Sequence, residues 1–279
     1  MEILSGIYCF PIKTKTLPPH RTTNSYVIAD GDRAFVIDAV NSKKGETQAH
    51  LFEIGIKSIQ MAAITHPHRD HYTGLKALLE VFGGQVVCHQ QALPRLADLF
   101  KEEMGMPLTD GSSLEIAGFK IDVLYTPGHS PDHICLYLKK EGVLFSGDTI
   151  LGWGTSIISP PEGDMAEYIN TLQKLAKLDI NLICPGHGPI IKKRAGDRIK
   201  WYIAHRLMRE KRILEALKSG SHTPREIAEK IYTEEDVKMH GHNLIPRAKR
   251  SVLAHLVKLE KEGRVFPLNQ SSSTRYGLV

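Results

Sequence analysis

The sequence predicts an α/β protein that ends in a separate winged-helix-like unit, and three observations carry that expectation. Over the first 190 residues, short β-rich runs alternate with amphipathic helical patterns, as in a layered α/β domain. Several of these β-runs stop at a Gly- or Pro-containing turn that bears His or Asp. From about Ile199 the pattern becomes helical, and three apolar helical stripes precede two short β-runs, the element order of a winged helix. The expected domains are 1–204, a layered α/β domain, and 205–279, a winged-helix-like domain, with the change inside or beside a long helix.

In chain order, Tyr26-Val27-Ile28 and Ala34 to Asp38 read as strands joined by Asp30-Gly31-Asp32. Met61 to Thr65 reads as a buried strand that stops at His66. Leu75, Leu78, Leu79 and Phe82 recur at i, i+3, i+4, i+7 and predict a helix ended by Gly83-Gly84. Phe119, Ile121, Val123 and Tyr125 alternate in strand fashion up to Thr126-Pro127-Gly128-His129. Val143 to Ser146 stops at Gly147-Asp148, and Leu182-Ile183-Cys184 stops at Pro185-Gly186-His187-Gly188. Asp164 and Glu167 mark a helix start, and Thr223-Pro224-Arg225-Glu226 combines N-cap Thr, Pro at N1 and Glu at N3. Ile227, Ala228 and Ile231 follow it. Val252, Leu253, Leu256, Val257 and Leu259 form the third stripe, and Val265-Phe266 and Arg275-Tyr276-Gly277 the wing, with its tip at 269–273.

Composition bounds the function. The chain has 279 residues, 42% apolar and 24% charged, so it can bury a sizeable core. No apolar run approaches the roughly 18 residues of a membrane span, and no membrane partner is expected. Met1 to Gly6 shows neither a secretory nor a transit pattern, so the expected location is cytoplasmic. The four cysteines, Cys9, Cys88, Cys135 and Cys184, sit in or beside apolar runs and read as buried thiols rather than disulfides. The net charge of +5 is uneven. Residues 192–279 carry 20 Lys and Arg against 10 Asp and Glu, and residues 1–191 carry 16 against 21. That basic tail suits an anionic partner such as nucleic acid, or is simply a solvated surface.

The strongest motif is Thr65-His66-Pro67-His68-Arg69-Asp70-His71. It places four metal-competent side chains within six residues. Imidazole and carboxylate suit Zn²⁺, Fe²⁺ and Mn²⁺. Alternate spacing lets His66 and His68 point the same way from an extended loop, and Asp70 and His71 then fall at the mouth of the next helix.

This H-x-H-x-D-H string, with Gly128-His129, Gly147-Asp148 and Gly186-His187-Gly188, resembles the metallo-β-lactamase superfamily. The resemblance implies a four-layer αβ/βα sandwich with its site at one edge. It implies two divalent metal ions, Zn²⁺ first, with Fe²⁺ and Mn²⁺ as alternatives. His66, His68 and His129 would hold one ion, Asp70, His71 and His187 the other, and Asp148 would bridge them. Asp38 would be a carboxylate that orients a ligand, or else a strand-end turn residue. Such a cage lowers the pKa of a shared water, and the hydroxide attacks an acyl or phosphoryl centre. Asp70 is the candidate to orient that hydroxide or hold its proton. His133 is a second catalytic candidate, as substrate contact or proton donor, or else a structural histidine bonded to backbone. Asn24 with His20, and Trp153, are expected to border the cleft as substrate-binding residues, with packing as the alternative.

Phe145 to Gly152, Pro185 to Pro189 and Leu256 to Gly263 further resemble the β-lactamase-like protein 2 family. That likeness implies an endoribonuclease acting on single-stranded RNA. A rival is a thioesterase of the hydroxyacylglutathione hydrolase type, acting on a small ester or thioester. A second rival is a nucleic-acid-binding regulator with an inactive hydrolase domain, against which all seven ligand-type residues argue.

Overall fold

A computed structural model describes residues 1–40, 45–220, 222–232, 238–239, 242–243, 245–269 and 274–279. The chain divides into two compact units.

The first unit comprises Met1–Thr126, Asp132–Gly154 and Asp179–Ala195. It contains two mixed sheets. The first runs in sequence order through β1 (Glu2–Leu4), β2 (Ile7–Lys13), β3 (Thr22–Asp30), β4 (Arg33–Ile37), β5 (Ser58–Ile64) and β6 (Gln85–Cys88). β2, β3 and β4 pair antiparallel, and β3 turns into β4 through Gly31 at φ 63°, a left-handed value that glycine adopts without strain. β4, β5 and β6 are parallel, so helical crossovers must return the chain. Those crossovers contain α1 (Glu46–Glu53), α2 (Arg69–Tyr72) and α3 (Leu75–Phe82). The expected stripe of α3 is buried at Leu75, Leu78, Leu79 and Phe82, and Gly83 ends the helix at φ 67°. A short α4 (Leu93–Leu96) follows β6.

The second sheet has the order β11 (Leu182–Pro185), β10 (Val143–Gly147), β9 (Ile134–Leu138), β8 (Phe119–Tyr125), β7 (Ser113–Ile116). Phe35, Ile37 and Tyr26 of the first sheet pack with Ile121, Val123, Leu136 and Phe145 of the second. On its other face the first sheet packs Val27, Val36 and Ile64 against Leu51, Leu75, Leu78 and Phe82 of the helices. Each such side chain stabilises the fold by about 1.5–3 kcal/mol when fully buried. The four cysteines are buried thiols, as expected.

This topology decides where chemistry can sit. The parallel neighbours β4 and β5 end at Ile37 and Ile64, and the parallel neighbours β10 and β11 end at Gly147 and Pro185. Asp38, Thr65-His66, Asp148 and Gly186-His187 are the residues that follow. Carboxyl ends of parallel strands are where α/β sheets place ligands.

The second unit comprises Pro127–Pro131, Thr155–Leu178 and Gly196–Val279. α5 (Met165–Leu175) starts at Asp164, whose Oδ1 accepts the Ala166 and Glu167 amides at 2.8 and 3.1 Å. α6 (Ala195–Leu217) runs unbroken through residue 204. α7 (Pro224–Ile231) opens with the full capping box. Thr223 Oγ1 accepts the Glu226 amide, and Glu226 Oε2 accepts the Thr223 amide at 2.8 Å. Two short strands, β12 (Lys238–Met239) and β13 (His242–Asn243), then pair before α8 (Ile245–Lys261). β14 (Val265–Pro267) and β15 (Tyr276–Leu278) form the antiparallel wing, and residues 270–273 of its expected tip lie outside the described residues. Ile213, Leu217, Ile227, Ile231, Val252, Leu256, Leu259 and Tyr276 make one core. No described helix is long and apolar enough to cross a membrane.

Candidate metal centre

The first unit assembles its site from four strand ends. After β5, the extended Thr65-His66-Pro67-His68 stretch leads into α2, with His68 as the residue before its first turn. His66 Nε2 and His68 Nδ1 lie 2.9 Å apart, the separation of two nitrogens turned to one point. His66, His71 and Asp148 each bring a ligand atom within 4.8 Å of the others, and so do Asp70, His71 and His187. Asp148 Oδ1 stands 3.5 Å from His71 Nε2 and 3.4 Å from His187 Nε2. His187 Nε2 stands 3.4 Å from Asp70 Oδ2. These gaps are too long for good hydrogen bonds.

The hydrogen bonds behind the ligand atoms set the tautomers. His71 Nδ1 donates to Asp38 Oδ2 at 2.8 Å, and His187 Nδ1 donates to the Thr22 carbonyl at 2.8 Å. Thr65 Oγ1 donates to Asp38 Oδ2 at 2.8 Å, so it accepts from His66 Nδ1 at 3.0 Å. With a metal bound, each of the three rings would keep its proton on Nδ1 and turn an Nε2 lone pair to the centre, the arrangement metal-ligating histidines adopt. His71 Nε2 is buried without a hydrogen-bond partner, the state of a group built for a cation. Asp38 is also strained, with φ at 55°, and it accepts the Thr65 amide at 2.8 Å as well. That strain sits where one carboxylate fixes two loops.

Electrostatics agree. Burial disfavours charge on His71, yet the facing carboxylates of Asp38 and Asp148 outweigh it and raise its pKa well above the usual histidine range. His187 is raised in the same way, against burial, by Asp148. Burial likewise opposes ionisation of Asp148, but His187 and His71 hold its carboxyl well below the usual range. The cluster thus demands positive charge at its centre, and its donor set of imidazoles and carboxylates fits a divalent metal ion.

Glycines let the strands close on this centre. A Cβ on Gly186 would lie 2.7 Å from both Asp148 Oδ1 and His71 Cε1. The loop is tied in place from β3. Asn24 N donates to the Gly186 carbonyl at 2.7 Å, and Tyr26 Oη donates to the Pro185 carbonyl at 2.8 Å.

Asn24 and His133 are held within the scaffold. Asn24 bonds to the loop that carries His187. It is 3% exposed, and Nδ2 donates to the carbonyls of Pro185 and Gly188, each at 2.9 Å, so it holds the His187 loop. His133 is fully buried. Its Nε2 accepts the Asp148 amide at 3.1 Å, and its Nδ1 lies 2.8 Å from Thr126 Oγ1. It is the backbone-bonded structural histidine, set to hold Asp148. Trp153, by contrast, is 57% exposed, its ring 6.3 Å from that of His20, which lies 5.3 Å from His187. His129 belongs to the second unit, where its Nδ1 donates to the Ile157 carbonyl at 2.9 Å and leaves the lone pair on Nε2. Thr65, Tyr26, Gly147 and Gly186 hold or make room for the cluster, and the sequence reading gave none of them a role of its own.

Residues 18–187 match the family model described as the metallo-beta-lactamase superfamily. This chain belongs to that superfamily. Residues 223–270 match the beta-lactamase associated winged helix domain, so the chain joins a metallo-β-lactamase fold to a C-terminal winged helix. A beta-lactamase-like protein 2 homolog of Drosophila melanogaster is 31% identical over 87% of this chain and 84% of its own. An atrochrysone carboxyl ACP thioesterase of Paecilomyces divaricatus is 28% identical over 92% of this chain and 80% of its own. A metallo-beta-lactamase family protein from Thermus thermophilus superposes with a TM-score of 0.79 at 25% identity, covering 100% of both chains. Members of the metallo-β-lactamase superfamily are hydrolases, and this chain is one.

Proposed function

We propose that this protein is a dinuclear phosphodiesterase that cuts single-stranded RNA internally. The observation that carries the reading is the pairing of the His/Asp cluster with a winged helix whose exposed cations include Lys211, Lys230, Lys249 and Arg250. Such cations suit a phosphodiester backbone, and binding through them weakens steeply with salt. Likeness to the β-lactamase-like protein 2 family, described as endoribonucleases on single-stranded RNA, supports the same substrate.

In this reading His66, His68 and His129 would hold one ion and Asp70, His71 and His187 a second, with Asp148 able to serve both. Two divalent ions, Zn²⁺ in the first instance, would supply a nucleophile from water at neutral pH and the charge that stabilises the transition state. Asp70 orients the attacking water and takes its proton. Asp38 locks His71 and Thr65, and Trp153 with His20 borders the substrate. The boundary at 204 and a cytoplasmic location belong to the same reading.

A thioesterase is the second reading, favoured by the carrier-protein thioesterase among the relatives. Both are tested side by side, by giving metal-loaded protein a short single-stranded RNA and an acyl-glutathione thioester. The RNA is expected to be cut, with all cleavage lost in chelator and rates falling steeply as salt rises. Turnover of the thioester alone would replace the nuclease reading with the thioesterase.

A further inference from the structure

Arg206, on α6, is the largest of the fully buried side chains among the described residues, at 2% exposure. A buried guanidinium is costly unless it is paired or has work to do. Among the described residues no carboxylate pairs with it. Its Nη2 donates to the Ser156 carbonyl at 2.6 Å, and its guanidinium carbon lies 5.2 Å from the centre of the Tyr168 ring.

Both contacts lead to His129 within the same unit. Ser156 precedes Ile157, whose carbonyl accepts His129 Nδ1 at 2.9 Å. Tyr168 forms the wall behind the Pro127–Pro131 loop, where a Cβ on Gly128 would come within 2.3 Å of the Tyr168 Cα. α5 holds that loop further. Thr171 Oγ1 donates to the Pro127 carbonyl at 2.8 Å, and the Asp164 amide donates to the Gly128 carbonyl at 2.9 Å. Arg206 thus holds the peptide just before the one whose carbonyl accepts His129 Nδ1, and it lies over the ring of Tyr168, whose backbone and Cβ back Gly128 beside His129.

We propose that Arg206 is a positioning residue for His129. By holding the 156–157 peptide it restrains Ile157, whose carbonyl sets the ring angle and Nδ1–H tautomer of His129. The proposal rests on His129 being a metal ligand. It assigns α6 a part in the metal site.

The test is Zn²⁺ affinity, measured on metal-free full-length protein by competition with a chromogenic chelator. Arg206→Met is expected to weaken binding at one site by about 10–100-fold, the usual cost of losing a group that orients a ligand. Arg206→Gln, which keeps a donor for the carbonyl, is expected to fall between, at about fivefold or more, and serves if the Met variant does not fold. Arg209→Met is the control. Arg209 is also buried on α6, but Nη1 donates to the Ile231 carbonyl at 3.0 Å, away from the His129 loop. Its loss should lower thermal stability and leave Zn²⁺ affinity unchanged. Equal losses of affinity in the Arg206 and Arg209 variants, or none in either Arg206 variant, would overturn the proposal. His129→Ala binding Zn²⁺ as tightly as wild type would instead remove the reading beneath it.

Discussion

An Asp148→Asn protein should keep its fold and lose hydrolysis by on the order of 10³-fold or more, a barrier increase of about 4 kcal/mol. Asp148 supplies the negative charge that His71 and His187 face at 3.5 and 3.4 Å. Asparagine keeps the shape and removes that charge, so the pull on a cation is lost. The backbone is spared because His133 still accepts the residue 148 amide and Gly186 N still donates to the Gly147 carbonyl at 2.8 Å. Elemental analysis, thermal unfolding and a cleavage assay on one preparation separate these effects. Undiminished activity with bound metal would remove Asp148 from the site.

Gly147→Ala should do comparable damage by another route. Gly147 sits at φ 46°, and a Cβ there would lie 2.6 Å from His133 Nε2 and 2.8 Å from Thr65 Oγ1. The left-handed backbone costs a non-glycine residue about 1–2 kcal/mol, and overpacking adds about 1–3. The displaced groups are the two that hold Asp148 and His66, so stability and metal content should fall together. Gly154→Ala, at φ 63° with open space around its Cβ, should cost only the backbone part, about 1–2 kcal/mol. Denaturant melts of the two variants measure the difference, and equal melts would mean that the close contacts at Gly147 carry no cost.

The metal motif was legible because its chemistry is local. Imidazoles and carboxylates stand beside glycines at strand ends, and those strands run parallel in two places. α3 and the capping box at Thr223 were legible for the same reason, since side-chain spacing and capping are local. β2 was not. Pro11 interrupts it, and its burial does not alternate cleanly. β9 was missed because Ile134–Leu138 is buried on both faces and shows no period. β12 and β13 are two residues each, too short for any pattern.

Asn24 and His133 show a second limit. Linear spacing does not say which way a side chain points, and both point into the scaffold, where they hold loops. The substrate was not legible either, because thioesterases and nucleases share one cage. Arg206 escaped notice because a lone arginine on a basic helix reads as a solvated one. Only its burial reveals the load it carries.

Distant histidines and aspartates are proposed to grip two cations. That grip is tested most directly by counting metal in protein stripped with chelator, reloaded with Zn²⁺ and desalted. Two equivalents per chain are expected. Protein that is folded and yet retains none would contradict the claim.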